Sequence, residues 1–247
     1  VLLVLNSMSG SEVNLEGYDE IQIELMNEKC ILVDENDNIV GSETKKNCHL
    51  NSYIEKGLLH RAFSVFLFNS KNELLLQQRS AEKITFPLYW TNTVCSHPLQ
   101  FEDKEGNVLP NQPEMEDSNQ YGAKRAAIRK MYQELGITDD QLPIGEFQFL
   151  TKILYKAPSD STWGEHEVDY ILIIRKDVTF EANPNEVKDT KYVTQEQLKQ
   201  FLAKADDEGI PVTPWFRLIV TNFLFKWWDN LDNLAEMQTD TVHKMIQ

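Results

Sequence analysis

Two short segments of the chain gather the residue types that metal and proton chemistry need. In Thr91-Asn92-Thr93-Val94-Cys95-Ser96-His97-Pro98 a thiol and an imidazole stand two residues apart. An extended backbone would turn Cys95 and His97 to one face and Ser96 to the other. In Trp163-Gly164-Glu165-His166-Glu167 the same period puts Glu165 and Glu167 together and reverses His166. Two carboxylates facing one way are costly in a core unless a cation or a shared proton neutralises them. At the solvent end of a strand they are ordinary exposed acids, and period alone leaves both readings open. The sequence has five histidines, His49, His60, His97, His166 and His243. Taken singly, each reads as a surface or satisfied core residue. Taken together, His49, His60 and His97 with Glu165 and Glu167 would make a nitrogen- and oxygen-donor set suited to a divalent transition metal. Arg79 and Lys83 bracket a loop, and Lys45 lies four residues before His49. They are either solvated charges or the grip for a diphosphate, with Arg supplying bidentate hydrogen bonds and Lys a point charge.

The elements that must position these residues are legible in part. Cys30-Ile31-Leu32-Val33 reads as a strand running into the turn at 34–38. Residues 62–68, a turn at 69–72 and residues 73–79 read as a hairpin of two buried strands. Residues 147–155 and 167–175 are two more strands. From Tyr121 the apolar Ile128, Met131 and Leu135 share a helical face, and Gly136 supplies the stop. Thr194-Gln195-Glu196-Gln197 has capping-box spacing. Thr213-Pro214 sets a cap and a first-turn proline before a helix carrying Leu218, Ile219, Phe223, Leu224 and Trp227. Residues 101–119 are acidic and aperiodic, a long surface insertion. Mixed strands and helices without βαβ alternation predict an α+β fold, with sheets flanked by helices. The expected divisions are a flexible N-terminal arm over 1–20, one domain over 21–232 and a C-terminal tail over 233–247.

Composition bounds the function. Of 247 residues, 41% are hydrophobic and 26% charged, ordinary for a globular chain. The net charge of −15 argues against a nucleic-acid partner, whose affinity rests on a basic face. A local basic cluster can still receive a small anion. Three cysteines are an odd and sparse set, which points to a reducing compartment. Val1-Leu2-Leu3-Val4-Leu5 is too short to span a bilayer, and no later run reaches that length. The chain lacks an initiator Met, so a targeting segment upstream is compatible with it. Cytoplasmic residence is expected, with peroxisomal or organellar forms left open.

The motifs also carry a family resemblance. Lys45 through Leu50, Gly57 through Ser64, Thr91 through Pro98 and Trp163 through Glu167 together resemble type I isopentenyl-diphosphate Δ-isomerase. Thr213 through Phe216 and Phe225 through Trp228 extend the likeness, which covers approximately residues 20–232. It implies a Nudix-like fold. Against the Nudix pattern REUXEEXGU, Arg129, Glu134 and Gly136-Ile137 fit, while Lys130 and Gln133 replace two acids. The pattern's upstream Gly and Glu fall on Met115 and Tyr121 and are absent. Those acids would hold metal near an attacking water, so their loss weakens a diphosphate-hydrolase reading. A non-catalytic Nudix-like interaction module is the other alternative, and it would predict damage at Cys95 or Glu167.

The resemblance implies roles. His49, His60, His97, Glu165 and Glu167 would bind a divalent metal, Zn2+ or Mn2+, and Glu134 would help hold Mg2+ against the substrate diphosphate. Lys45, Arg79, Lys83, Ser96 and Lys130 would contact substrate. Cys95 and Glu167 would be the acid–base pair, Tyr155 would orient Glu167, and Trp215 would face the cation. From the residues alone, Cys95, Tyr155 and Trp215 read equally as packing. The reaction implied is the interconversion of isopentenyl and dimethylallyl diphosphate in isoprenoid, including sterol, biosynthesis by a monomeric enzyme.

Overall fold

The computed structural model describes residues 13–246. In chain order its elements are α1 (Glu20–Leu25), β1 (Lys29–Val33), β2 (Ile39–Thr44), α2 (Lys45–His49), α3 (Asn51–Ile54), β3 (His60–Phe68) and β4 (Leu74–Arg79). Then come β5 (Trp90–Thr91), β6 (Val94–Ser96), β7 (Leu99–Gln100), α4 (Tyr121–Leu135), β8 (Gln148–Pro158), β9 (Gly164–Arg175) and β10 (Val187–Val193). The described chain closes with α5 (Gln195–Glu208), α6 (Pro214–Ile219), α7 (Phe225–Trp228) and β11 (Val242–Lys244). The main path of the sheet runs β10-β4-β3-β9-β8-β11, with β1, β2, β5, β6 and β7 joined beside it.

β3 is buried at all nine positions, as a strand covered on both faces should be. Its period of two divides the core. Phe63, Val65 and Leu67 face α4, where Ala123, Ala126, Ala127, Met131 and Leu135 pack. Phe66 and Phe68 face the opposite layer, with Leu198, Trp215, Phe216, Ile219, Leu224 and Trp227. The small alanines let α4 lie close to the sheet, and Gly136 ends it in the left-handed conformation (φ 64°). The α+β architecture expected from the sequence is the one observed. Among the described residues, no helix is long and apolar enough to cross a membrane.

Several local expectations are revised. β3 and β4 pair only at Phe68↔Leu74. Beyond the turn the 90–96 segment separates them: β5 pairs with β4 and β6 with β3. Thr93 bridges the gap, accepting from Leu67 N at 2.9 Å and donating its hydroxyl to Leu75 O at 2.6 Å. Thr194 makes its capping box. The Thr213 side chain caps nothing; its hydroxyl is 2.8 Å from that of Thr91. The last helix is interrupted by a π-turn at Val220–Leu224, which splits it into α6 and α7.

Within the described residues, both end segments make packing or pairing contacts. Within the expected arm, residues 1–12 lie outside the described residues. Val13 and Leu15 pack on Met26, Leu50, Ile84 and Trp163, and Asp19 caps α1. In the expected tail, β11 pairs in parallel with β8. The 101–119 insertion is mostly exposed, but Glu114 is buried and receives Arg129 Nε at 2.7 Å and Leu99 N at 2.9 Å.

Candidate active site

Strand register assembles the centre around Glu167. The parallel β3–β9 ladder sets His60 directly beside it, and the antiparallel β8–β9 ladder sets Tyr155 on its other side. His60 Nε2 lies 3.1 Å from Glu167 Oε1, and His97 Nε2, from the turn after β6, lies 2.8 Å from the same oxygen. The Tyr155 hydroxyl donates to Oε2 at 2.5 Å. His49 ends α2, which the Leu50↔Trp163 bridge and the Asn51 N to Thr162 O bond tie to the start of β9. Its Nε2 stands 2.8 Å from Glu165 Oε2. His166 points away, as its register requires, with Nδ1 2.8 Å from Leu58 O.

The chemistry of this donor set fits a cation. One ligating atom from each of His49, His60, His97, Glu165 and Glu167 falls within 4.8 Å of the others, and all five residues are buried. His49 Nδ1 is 2.6 Å from the carbonyl of Lys45, which can only accept, so Nδ1 carries the proton. In neutral imidazole Nε2 then presents a lone pair to a carboxylate oxygen that has no hydrogen-bond partner of its own. Such a pairing is repulsive unless a positive charge lies between the two atoms. Three inward imidazole nitrogens and two carboxylates match the ligand chemistry of zinc or manganese.

Burial would lower the His49 imidazole, but the facing Glu165 carboxylate outweighs it and raises the group, so a proton on Nε2 competes with a metal ion for this position. Burial pushes the His97 imidazole down to about 3, against the opposing pull of Cys30, so it stays neutral. Burial raises the Glu167 carboxyl, but hydrogen bonds from His60 and Tyr155 outweigh it and hold the group below its usual range. Burial pushes the Cys95 thiol up to about 12, with the carboxylates of Glu134, Asp169 and Glu167 adding to the rise and Arg79 opposing it. Burial also raises the Tyr155 phenol, leaving a firm donor to Glu167.

One cleft joins this centre to the basic residues. Lys45, Arg79, Lys83, Cys95, Ser96 and Trp215 line it, as do Glu134, Tyr155 and the carboxylates. Cys95, Ser96 and His97 all reach this space, so the strict alternation expected of an extended segment breaks as β6 turns into Pro98. The Arg79 guanidinium is held by Thr85 O at 2.8 Å and Phe86 O at 3.1 Å. Trp215 is fixed by its Nε1, which donates to Asn92 Oδ1 at 3.2 Å, and by an edge-to-face contact with Phe86 at 5.1 Å. Lys130 is not among the lining residues. It lies behind the wall, fully buried, with Nζ 3.2 Å from Glu134 Oε1.

Four further residues of the site were not among those expected from the sequence. Gln77 donates to Glu134 Oε2 at 2.9 Å, and Asn92 accepts from Trp215. Asp169, two residues beyond Glu167, accepts from Ser64 Oγ at 2.8 Å, and burial raises its carboxyl well above the usual range. Glu186 meets Lys83 Nζ at 2.5 Å from a polar, aperiodic stretch. The repeat of Glu165, Glu167 and Asp169 along one strand face could have flagged Asp169.

Residues 58–216 match the NUDIX domain. The chain is 54% identical over 235 residues to isopentenyl-diphosphate Delta-isomerase 1 of Bos taurus, an overlap of 95% of this chain and 99% of that one. It is 56% identical over 239 residues to isopentenyl-diphosphate Delta-isomerase I of Camptotheca acuminata, covering 93% and 97%. The chain belongs to the isopentenyl-diphosphate Delta-isomerase family. A solved structure from Deinococcus radiodurans shares the fold, with a TM-score of 0.51 at 19% identity over 80% of this chain and 100% of that one. Within this isomerase family frame the incomplete Nudix pattern makes local sense. Arg129 keeps its place by pairing with Glu114 and donating to His97 O at 3.1 Å, which braces the turn holding His97. Lys130, where the pattern has an acid, neutralises the retained Glu134.

Proposed function

We infer that the chain interconverts isopentenyl diphosphate and dimethylallyl diphosphate, moving a C=C bond within a five-carbon unit for isoprenoid biosynthesis. One observation carries the reading most directly: Cys95, Glu167 and Trp215 line a single cleft together with Lys45, Arg79 and Lys83. The reaction adds a proton to the terminal alkene carbon, leaves a tertiary cation at the next carbon, and removes a proton from the carbon beyond. It needs two proton carriers, an anion seat and a wall that stabilises the cation without capturing it.

Each requirement has its residues. Cys95 and Glu167 are the carriers. The buried thiol keeps its proton in an apolar pocket, and the carboxylate is ionised, so the pair starts with one proton to give and one place to receive. Tyr155 fixes which Glu167 oxygen points inward by bonding the other. Trp215 offers an aromatic face, worth about 2 kcal/mol to a desolvated cation, or roughly a factor of 30 in rate. Lys45, Arg79, Lys83 and Ser96 seat the diphosphate, and Lys130 keeps Glu134 aligned behind it. A divalent ion on the five-residue cluster would supply charge that keeps the adjacent Glu167 ionised, and Mg2+ on Glu134 would neutralise the diphosphate. Zn2+ or Mn2+ suits the cluster by ligand type.

We read 21–232 as the catalytic domain, acting as a monomer in the cytoplasm. Three free cysteines support a reducing compartment, while a Cannabis sativa relative, 53% identical, is described as chloroplastic. The test is incubation of purified protein with isopentenyl diphosphate and Mg2+, followed by proton NMR. Dimethylallyl diphosphate should appear without release of phosphate; phosphate release from nucleoside diphosphate compounds would favour a hydrolase instead.

A further inference from the structure

Lys83 and Lys130 share one buried carboxylate that no part of the reaction above uses. Glu186 is 4% exposed. Its Oε2 lies 2.5 Å from Lys83 Nζ and 3.9 Å from Lys130 Nζ. Its Oε1 accepts from Gln22 Nε2 at 3.1 Å, and the same amide reaches Asn185 Oδ1 at 2.7 Å. Backbone bonds anchor the acid in turn: Ser80 N donates to Glu186 O at 3.0 Å, and Glu186 N to Asn183 O at 3.0 Å. Lys83 and Gln22 line the cleft, whereas Glu186 stands behind them. Resting on the isomerase reading, we propose that Glu186 is a positioning residue for diphosphate binding, which aligns and keeps charged the Lys83 ammonium at the anion seat.

The physical case is the cost of the alternative. Lys83 is 9% exposed and faces Arg79, Lys130 and Lys45, three like charges on three different elements. A lysine in that position, without an opposing carboxylate, would shed its proton or swing toward solvent. Either change removes a charge-assisted hydrogen bond from the diphosphate. Burial already draws Lys83 down to about 8, with the Glu186 charge opposing that fall. Burial would raise the Glu186 carboxyl, but Lys83 and Lys130 overcome it and hold the group well below the carboxylate range, so its charge is permanent. The Gln22 amide takes the other oxygen, which fixes the direction in which Oε2 points.

The test is a double-mutant cycle read by steady-state kinetics and by calorimetric binding of inorganic pyrophosphate with Mg2+. Glu186→Gln should raise KM and weaken pyrophosphate binding at least tenfold, while kcat falls less than threefold and metal content is unchanged. Added to Lys83→Gln, which is already weak, Glu186→Gln should change neither quantity by more than twofold, because the partner is gone. Should the single variant fail to fold around a stranded ammonium, the double variant removes that charge. Glu186→Asp, which keeps the charge but shortens its reach, should then weaken pyrophosphate binding about tenfold in the wild-type background and no more than twofold in Lys83→Gln. Wild-type pyrophosphate affinity in Glu186→Gln overturns it, as does a further tenfold loss on the Lys83→Gln background. Failure of the isomerase reading shows separately, as wild-type protein that binds pyrophosphate but forms no dimethylallyl diphosphate.

Discussion

At the scale of single residues the site is a set of charges whose states depend on their neighbours. Cys95 touches no member of the metal cluster by hydrogen bond, so Cys95→Ala should keep metal and pyrophosphate binding while turnover falls at least a thousandfold. Turnover near the wild-type rate would make Cys95 a packing residue. Tyr155→Phe removes one bond to Glu167 and leaves a buried carboxylate oxygen unpartnered. It should lower kcat about tenfold to a hundredfold with little change in KM, and an unchanged kcat would remove Tyr155 from the site. The pH profile follows from Lys83. Its folded pKa of about 8 lies below the ordinary 10.5, so the ammonium is present below about pH 8 and is lost as pH rises through it. Since kcat/KM reports the free enzyme, it should fall above about pH 8, and that alkaline limb should flatten in Lys83→Arg. A wild-type profile level from pH 7 to 10 would exclude Lys83 from the anion seat.

At the scale of elements, register does the positioning, and register is what the sequence shows least well. The period of two in Glu165-His166-Glu167 told which residues share a face, but not that β3 would run parallel beside β9 and place His60 against Glu167. Pairing between strands more than a hundred residues apart leaves no local trace. The hairpin at 62–79 is present at its turn, where β3 and β4 pair at Phe68↔Leu74, but nothing in its own residues announced the 90–96 segment inserted between its strands. Helix ends were clearer where side-chain chemistry is local, as at Thr194 and Gly136. Of the site, the motif-borne residues were legible through resemblance, whereas Glu186, in a polar stretch without period, and Gln22, between Ile21 and Ile23 on α1, were not. The β8–β9 turn gives a direct test of how tightly the element holds the site. A Cβ on Gly164 would meet Asn51 Oδ1 at 2.5 Å and Ala157 O at 2.9 Å. Gly164→Ala should therefore turn the Asn51 side chain aside and push β9 off the backbone of β8 at Ala157, costing about 1–3 kcal/mol and lowering metal occupancy at the adjacent Glu165. Full occupancy with unchanged thermal stability would show that the contact yields freely.

At the scale of the whole molecule, the fold carries a net charge of −15 and still concentrates carboxylates in its interior. Glu165, Glu167 and Asp169 alternate along one face of β9, and burial raises the Asp169 carboxyl well above its usual range. The Glu165 and Glu167 carboxylates face three buried imidazoles and need a metal ion or protons between them, so the metal centre and global stability are one problem. An ion bound only by the folded chain stabilises it by mass action, about 4 kcal/mol at a thousandfold excess over Kd. For a chain of this size each kcal/mol is worth roughly 2–4 °C in Tm. Stripping the ion with a chelator should thus lower Tm by about 10 °C, and added Zn2+ or Mn2+ should restore it, with the better-matched ion restoring more. His60→Ala opens the donor set, so its Tm should respond to chelator and metal by no more than a third as much. The comparison separates a true ligand set from buried ion pairs between imidazolium and carboxylate, which would hold the fold equally well with chelator present. An unchanged wild-type Tm, in protein shown by elemental analysis to have been stripped, would mean that protons rather than a metal neutralise this cluster.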